Sequence, residues 1–542
     1  MNSAELLTKC LENEGVRFTF GLPGEENLEL LNALSSSGIE VVVTRDERGA
    51  SFMANVYGRL TGSPGVCFST LGPGATNLVT GVADAFLDFA PLLAITAQAS
   101  PLRAHKESHQ YIDVLSMFKP ITKWNSRIIA PRTIPEVVRK AFKLAVLEKQ
   151  GPTHLELPED VASAPAEGSP LPHEPLHYPS PDLSRIQEAV NRIREAKAPL
   201  LLAGHGVLRS HASEELFRLA AQTGIAVIVT FMGSGAFPAD HELFVSTIGL
   251  QSRDYVQCGL DRADLIIAVG YDPVEFSPKF WDASKKIIHI DTGPAEVDAS
   301  YNAYELTGDI RTTLRTMADM AEFQKDPSYF IRLKKDVEEN RDDPDLYRTE
   351  NGLSPLEVIR GIRRALGRED ILISDVGAHK IWIGRFYPAY APDTLIISNG
   401  FASMGFAVPG AIAAKLAHPE KKVIAAVGDG GFLMSVAELE TAVRWKLPFV
   451  TVIFNDNCFG LIQWKQLMRY KKDFCVKVQN PDFVKLAESF GCKAYRVERG
   501  GNLAAALQDA LKQDVPSLID CRIDYSVNVK LSEKLGSIVC RI

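Results

Sequence analysis

Residues 427–461 read VGDGGFLMSVAELETAVRWKLPFVTVIFNDNCFGL. An apolar run ends in Gly428-Asp429-Gly430-Gly431, a helical pattern follows, and a second apolar run ends in Asn455-Asp456-Asn457. Short apolar runs flanking a helix read as neighbouring buried strands of a parallel sheet. Both carboxylates then stand at the carboxyl ends of their strands, the edge where open α/β sheets bind ligands. The glycines and the helix start between them offer free N–H groups suited to a phosphate. Hard oxygen ligands beside such a cradle point to Mg²⁺ holding a diphosphate. Taken alone, the stretch also fits an ordinary strand–helix–strand with turn residues at both strand ends.

At 542 residues the chain exceeds one hydrophobic core and splits into about three domains. An apolar fraction of 46% and a charged fraction of 23% are those of a globular protein. The net charge is −8 and no basic run occurs, which argues against a nucleic-acid partner. Eight cysteines are scattered without a C-x-x-C pair, a usage suited to reduced thiols in a cytoplasm. The N-terminal MNSAELLTKCLENEGVRFTFG reads as an amphipathic helix entering a strand, not as a secretion signal. No apolar run is long enough to span a bilayer, so no membrane partner is expected.

Three α/β blocks follow one another. Residues 1–165 alternate strands (16–20, 40–44, 65–69, 92–97) with helical patterns, as a doubly wound parallel sheet requires. The proline-dense stretch 163–184 reads as an extended linker. A central block spans 185–322, with strands at 199–203, 226–230, 265–269 and 286–290 and a Gly204-His205-Gly206 turn. That G-x-G is weak evidence for a nucleotide. The polar segment 322–351 is expected to be helical and exposed. The third block spans 353–525, with strands at 370–374, 394–397, 422–427 and 449–454. The tail, 526–542, shows no core pattern. Blocks one and three are candidates for a shared fold.

The 427–461 stretch resembles the thiamine-diphosphate motif of the acetolactate synthase and pyruvate decarboxylase superfamily. The resemblance implies that Asp429 and Asp456 bind Mg²⁺ through their side chains and Cys458 through its carbonyl. Gly428, Gly430, Gly431, Phe459, Gly460 and Leu461 would then line the cofactor. Asp456 replaces the superfamily's usual Asn, a departure shared with the FAD-independent, catabolic acetolactate synthases.

The first block carries matching segments. Residues 44–62, TRDERGASFMANVYGRLTG, resemble the family's R-H-E-x-x-A-x-x-M-A run, with Asp46 in place of His. Glu47 is thereby implied as the acid beside the cofactor's aminopyrimidine, where a carboxyl group assists activation. Residues 20–24, FGLPG, match the family's first strand and turn. Residues 69–77, STLGPGATN, match its S-x-x-G-P-G-x-x-N loop and place Thr70, Gly72 and Asn77 at the cofactor. Ser108-His109-Gln110-Tyr111 resembles the segment that sets a glutamine, here Gln110, near the reacting carbons.

In the third block, Asp375-Val376-Gly377-Ala378-His379 resembles a phosphate-binding turn that offers His379. Residues 398–405, SNGFASMG, resemble the segment whose large apolar residue wedges the cofactor into a bent shape, which implies Ala402 and Met404. Counting from Asp456, Lys465 falls at the substrate-sensing position, and a shift of one residue puts Trp464 there. Gly270-Tyr271-Asp272-Pro273-Val274-Glu275 looks like the corresponding segment of enzymes that need no FAD.

The resemblance implies three doubly wound parallel-sheet domains of the thiamine-diphosphate-dependent enzyme fold. It also implies a homodimer or homotetramer whose active site lies between subunits. The expected reaction decarboxylates pyruvate and joins the two-carbon unit to a second 2-oxo acid, giving 2-acetolactate for a branched-chain amino acid or acetoin pathway. The expected catalytic residues are Glu47, Gln110 and Lys465. The alternatives are another thiamine-dependent decarboxylase or lyase with a different acceptor, and a non-catalytic homologue. The paired histidines of pyruvate decarboxylases are not evident after Glu47, and Glu47, Asp429 and Asp456 are all present.

Overall fold

A computed structural model describes residues 1–173, 175–249, 256–282 and 284–537. It contains three six-stranded sheets, all of whose pairings are parallel. The first holds β1 (Phe18–Gly21), β2 (Glu40–Val43), β3 (Gly65–Ser69), β4 (Leu92–Gln98), β5 (Trp124–Arg127) and β6 (Pro152–Pro158). The second holds β7 (Pro199–Ala203), β8 (Val227–Val229), β9 (Phe244–Thr247), β10 (Leu265–Val269), β11 (Lys286–Asp291) and β12 (Ala303–Thr307). The third holds β13 (Ile371–Ser374), β14 (Leu395–Ile397), β15 (Val423–Gly428), β16 (Val450–Asn455), β17 (Lys493–Val497) and β18 (Ser517–Arg522).

The first sheet runs β2-β1-β3-β4-β6-β5 and the third β14-β13-β15-β16-β18-β17. These are one topology used twice, as the sequence suggested. The order reverses at β1/β3 and again at β13/β15, and such switch points open a crevice at the carboxyl ends of the strands. The central sheet runs β12-β11-β10-β7-β8-β9, with its switch at β7/β10. Apolar side chains of the first and third sheets share one core; Val56 and Phe52 of the helix Glu47–Thr61 meet Phe406 and Ala411 of the third block there. A second core joins the central sheet to the third.

Three readings need correction. The polar segment 322–351 is not exposed throughout. Its helix Ser328–Arg341 buries Phe330, Leu333 and Val337, a one-face stripe of helical spacing. The tail does contribute to the core: Val527–Ser537 is a helix that buries Val527 and Leu531. Two apolar residues one turn apart are too few to register as periodicity. Cys10, Cys67, Cys458, Cys475, Cys492 and Cys521 are free, whereas Cys258 is disulfide-bonded, a departure from uniformly reduced thiols. Among the described residues no helix is long and apolar enough to cross a membrane.

Candidate active site

The third sheet's switch point gathers most of the residues singled out above. Asp429 follows β15 directly and opens the helix Asp429–Ser435. Its Oδ1 accepts from the Gly430 N–H at 2.7 Å. Its Oδ2 accepts from the Asn457 N–H at 2.8 Å and from Asn480 Nδ2 at 2.7 Å. Asp456 follows β16, and its Oδ2 is buried without a hydrogen-bond partner. A Cβ on Gly460 would lie 2.6 Å from that oxygen, so only glycine leaves it room. Burial, reinforced by neighbouring Asp429, pushes the Asp456 carboxyl up to about 8. Burial also raises Asp429. Two desolvated carboxylates, one of which raises the other's proton affinity, form a notch that favours a cation.

Among the described residues no three His, Cys, Asp or Glu side chains converge on one metal position. Two carboxylates and a backbone carbonyl do fit Mg²⁺, which takes one or two carboxylates and completes its shell with phosphate oxygens and water. Cys458 lies in the same turn, after Asn457, whose φ is +53°. The turn is pinned by Phe459 N–H to the Val476 carbonyl and Val478 N–H to the Asn457 carbonyl, both 2.9 Å.

The rest of the cradle lies between β13 and β15. His379 is buried, and its ring stacks on Phe454 with centroids 5.3 Å apart. Burial holds it near 3, so the ring is neutral, and its Nε2 has no partner. A Cβ on Gly428 would stand 3.4 Å from His379 Cε1. A Cβ on Gly430 would meet Phe459 Cε1 at 3.1 Å and Met404 Cε at 3.3 Å. Met404 therefore projects over the glycine turn. Ala402, two residues earlier, takes φ +56°, a strained conformation of the kind found at ligand clamps.

Glu47 opens the helix Glu47–Thr61, which Asp46 caps by accepting from the Arg48 N–H at 2.7 Å. The usual His of the motif is thus replaced here by a good helix cap. Glu47 is 8% exposed. Its Oε2 accepts from Asn77 Nδ2 at 3.0 Å. A Cβ on Gly74 would reach its Oε1 at 3.1 Å. Thr70 donates to Glu26 at 2.8 Å and so faces the turn after β1. Gly72 has φ +50°, and a Cβ there would strike the Gln110 carbonyl at 2.6 Å. Gln110, itself at φ +57° and exposed, therefore rests on the same loop that borders Glu47.

Among the described residues no hydrogen bond or ion pair joins Glu47 to Asp429 or Asp456 within one chain. Instead the start of Glu47's helix docks behind the glycine turn. Glu438, buried after the Asp429 helix, accepts from the Arg45 and Asp46 N–H groups at 3.0 and 3.1 Å. Arg48 donates to the Met434 carbonyl at 2.6 Å. On the helix Gly460–Tyr470, Trp464 turns inward and donates to Ser532 at 2.9 Å. Lys465 is exposed beside Ile462 and Met468, on the outer face. The sequence analysis missed Asn480 and Glu438. Neither lies in a glycine-rich turn or on a strand end, and only the folded chain brings them to the motif.

Three family models match the chain: the thiamine pyrophosphate enzyme N-terminal binding domain over residues 1–117, the central domain over 186–317 and the C-terminal binding domain over 375–521. The acetolactate synthase of Bacillus subtilis is 36% identical over 543 residues, covering 98% of this chain and 95% of that protein. A probable acetolactate synthase large subunit of Methanocaldococcus jannaschii is 36% identical, covering 97% and 92%. The catabolic acetolactate synthase of Raoultella terrigena is 33% identical, covering 98% and 97%.

Proposed function

This chain belongs to the acetolactate synthase family of thiamine pyrophosphate enzymes, and from that premise we propose that it joins two molecules of pyruvate, with loss of CO₂, to give 2-acetolactate. The observation that carries this reading is the pair of carboxylates at the β15/β16 edge, buried Asp429 and half-buried Asp456 with its buried Oδ2 unpartnered, facing glycine-lined helix starts and an unpartnered histidine nitrogen. Thiamine diphosphate, when bound, supplies the electron sink for loss of CO₂ from a 2-oxo acid and transfer of the remaining two carbons.

The chain's own residues would do the following. Asp429, Asp456 and the Cys458 carbonyl hold Mg²⁺. Gly428, Gly430, Gly431, Gly460 and Leu461 let backbone approach the diphosphate closely, and the His379 ring, held by the Asp375 backbone, borders it. Met404, Ala402 and Phe459 shape the apolar side of the cradle. Glu47 holds a proton at its carboxyl oxygens, with Asn77 fixing Oε2. Thr70 and Gly72 border the pyrimidine, and Gln110 and Lys465 orient the acceptor. Lys465 offers a cation to the acceptor's carboxylate. Glu47 of one subunit completes the cradle of another in a homodimer or homotetramer.

The cofactor set is thiamine diphosphate and Mg²⁺ without FAD. At the central sheet's edge Glu275 accepts from the His205 N–H and Asp272 pairs with Arg209, an internal engagement of both carboxylates that supports this. The working domain limits are 1–165, 185–322 and 353–525, followed by the segment 526–542. Among the described residues six thiols are free and one cysteine is disulfide-bonded, a balance in keeping with a cytoplasmic setting. Mass spectrometry of products formed from pyruvate alone tests the activity. Acetolactate is expected. Acetaldehyde as the sole product would favour a simple decarboxylase, and formation of product only with an added aldehyde or another 2-oxo acid would favour a different acceptor.

A further inference from the structure

Asp375 follows β13 and is fully buried, and its carboxylate is held by backbone N–H groups. Its Oδ1 accepts from the Val376 N–H at 2.8 Å and from the Gly405 N–H at 3.1 Å. Its Oδ2 accepts from the Ala407 N–H at 2.8 Å, the first residue of the helix Ala407–Ala417. From the other side, a Cβ on Gly431 would stand 2.6 Å from Oδ1, so the carboxylate also rests on the turn that carries Asp429. One side chain thus ties the His379 turn, the Met404 loop and the Gly430-Gly431 turn together. A buried carboxylate is costly unless N–H donors surround it, and a helix start is a favourable place for its charge.

We infer that Asp375 is a positioning residue: it sets the depth at which Met404 stands over Gly430, and through that the shape the cofactor must adopt. The inference rests on the reading of Met404 as the wedge. Asparagine at this position is nearly isosteric but offers one oxygen and one NH₂. Either the Val376 and Gly405 N–H groups or the Ala407 N–H would then face a donor, and the loop from Ser403 to Phe406 must shift.

The test compares wild type, Asp375→Asn and Met404→Ala, each as full-length protein with Mg²⁺. Calorimetry reads the dissociation constant for thiamine diphosphate, and near-ultraviolet circular dichroism reads the bound cofactor at saturation. Asp375→Asn is expected to weaken binding about 10- to 100-fold, the usual range for a residue acting through another. It is also expected to change the saturated spectrum in the same sense as Met404→Ala. Weaker binding with an unchanged saturated spectrum would show a merely structural role and overturn the inference. If Met404→Ala changes the spectrum and Asp375→Asn changes neither quantity, the inference fails and the wedge stands. If Met404→Ala leaves the spectrum unchanged, the wedge reading fails and takes the inference with it. Should Asp375→Asn not fold, Asp375→Glu keeps the charge but lengthens the side chain that holds the Gly405 and Ala407 N–H groups. The same spectral change is then expected, and an unchanged spectrum overturns the inference.

Discussion

The carboxyl edge of the third sheet keeps Asp456 Oδ2 and His379 Nε2 buried without partners, whereas the same edge of the central sheet is filled by the chain's own charges. At the central switch, Gly206 N–H donates to the Gly270 carbonyl at 2.8 Å, which closes the turn a dinucleotide would need. Glu275 accepts from the His205 N–H at 3.0 Å and from the Thr230 hydroxyl. Arg209 pairs with Glu148 at 3.1 Å and with Asp272 at 2.8 Å, and Lys149 pairs with Asp272 at 2.6 Å. Asp272 Oδ1, Asp291 Oδ2, Arg209 Nη2 and His289 Nε2 lack hydrogen-bond partners there too, but they stand among opposite charges: Lys149 Nζ lies 2.6 Å from Asp272 Oδ1, and Arg209 attracts Asp291. Two edges of like architecture therefore differ in what satisfies them. One pairs its charges internally; the other leaves two carboxylates that favour a cation.

The largest effect should come from Glu47. Glu47→Gln is expected to lower kcat about 100- to 10,000-fold, the span of a lost acid–base group, while calorimetry shows cofactor binding retained. Near-wild-type turnover would remove Glu47 from its role. Next, co-purified subunits carrying Glu47→Gln in one chain and Asp429→Ala in the other should recover turnover that neither variant shows alone. Failure to recover any would contradict an active site shared between subunits.

Changes at the central edge should leave chemistry alone. Glu275→Gln is expected to keep kcat/KM within about twofold, because only packing is altered there. Burial, with Asp272 adding to it, raises the Glu275 carboxyl to about 8. Its folded pKa lies above the unfolded one, so ionisation of the unfolded chain erodes stability as pH rises from about 4.5 to about 8. The melting temperature of Glu275→Gln should therefore gain on wild type across that window and hold steady above it. A gap independent of pH would refute the assignment. The smallest expected effect is at Lys465. Lys465→Gln should shift the ratio of products from mixed 2-oxo acids by a few-fold, the worth of one exposed charge contact. An unchanged ratio would remove Lys465 from recognition of the acceptor.

Much of this was legible in the sequence because the interior strands are continuous apolar runs. Strands β3, β7 and β10 lie at the expected residues. Of the edge strands, β2 and β14 fall at the expected residues, but β5, β9, β12 and β17 were not legible. β5, β12 and β17 are polar and only half-buried for most of their length, so they carry little apolar signal. β6 and β18 are interior but hold His154, Glu156 and Asp520, which read as surface residues until their partners are known. At the site, Asp429, Asp456 and Glu47 stood out because glycine turns and strand ends mark them. Asn480 and Glu438 did not, since each acts on a segment distant in sequence. Lys465 and Trp464 were indistinguishable by counting, and only helix geometry turns one out and the other in.

The most direct measurement is calorimetric titration of the metal-stripped wild-type protein with thiamine diphosphate, with and without Mg²⁺, alongside Asp429→Ala. One site per chain is expected, formed only with Mg²⁺ and lost in the variant. No heat of binding in the wild type, or binding that survives both chelation and the loss of Asp429, would contradict a cofactor site at the third sheet's edge.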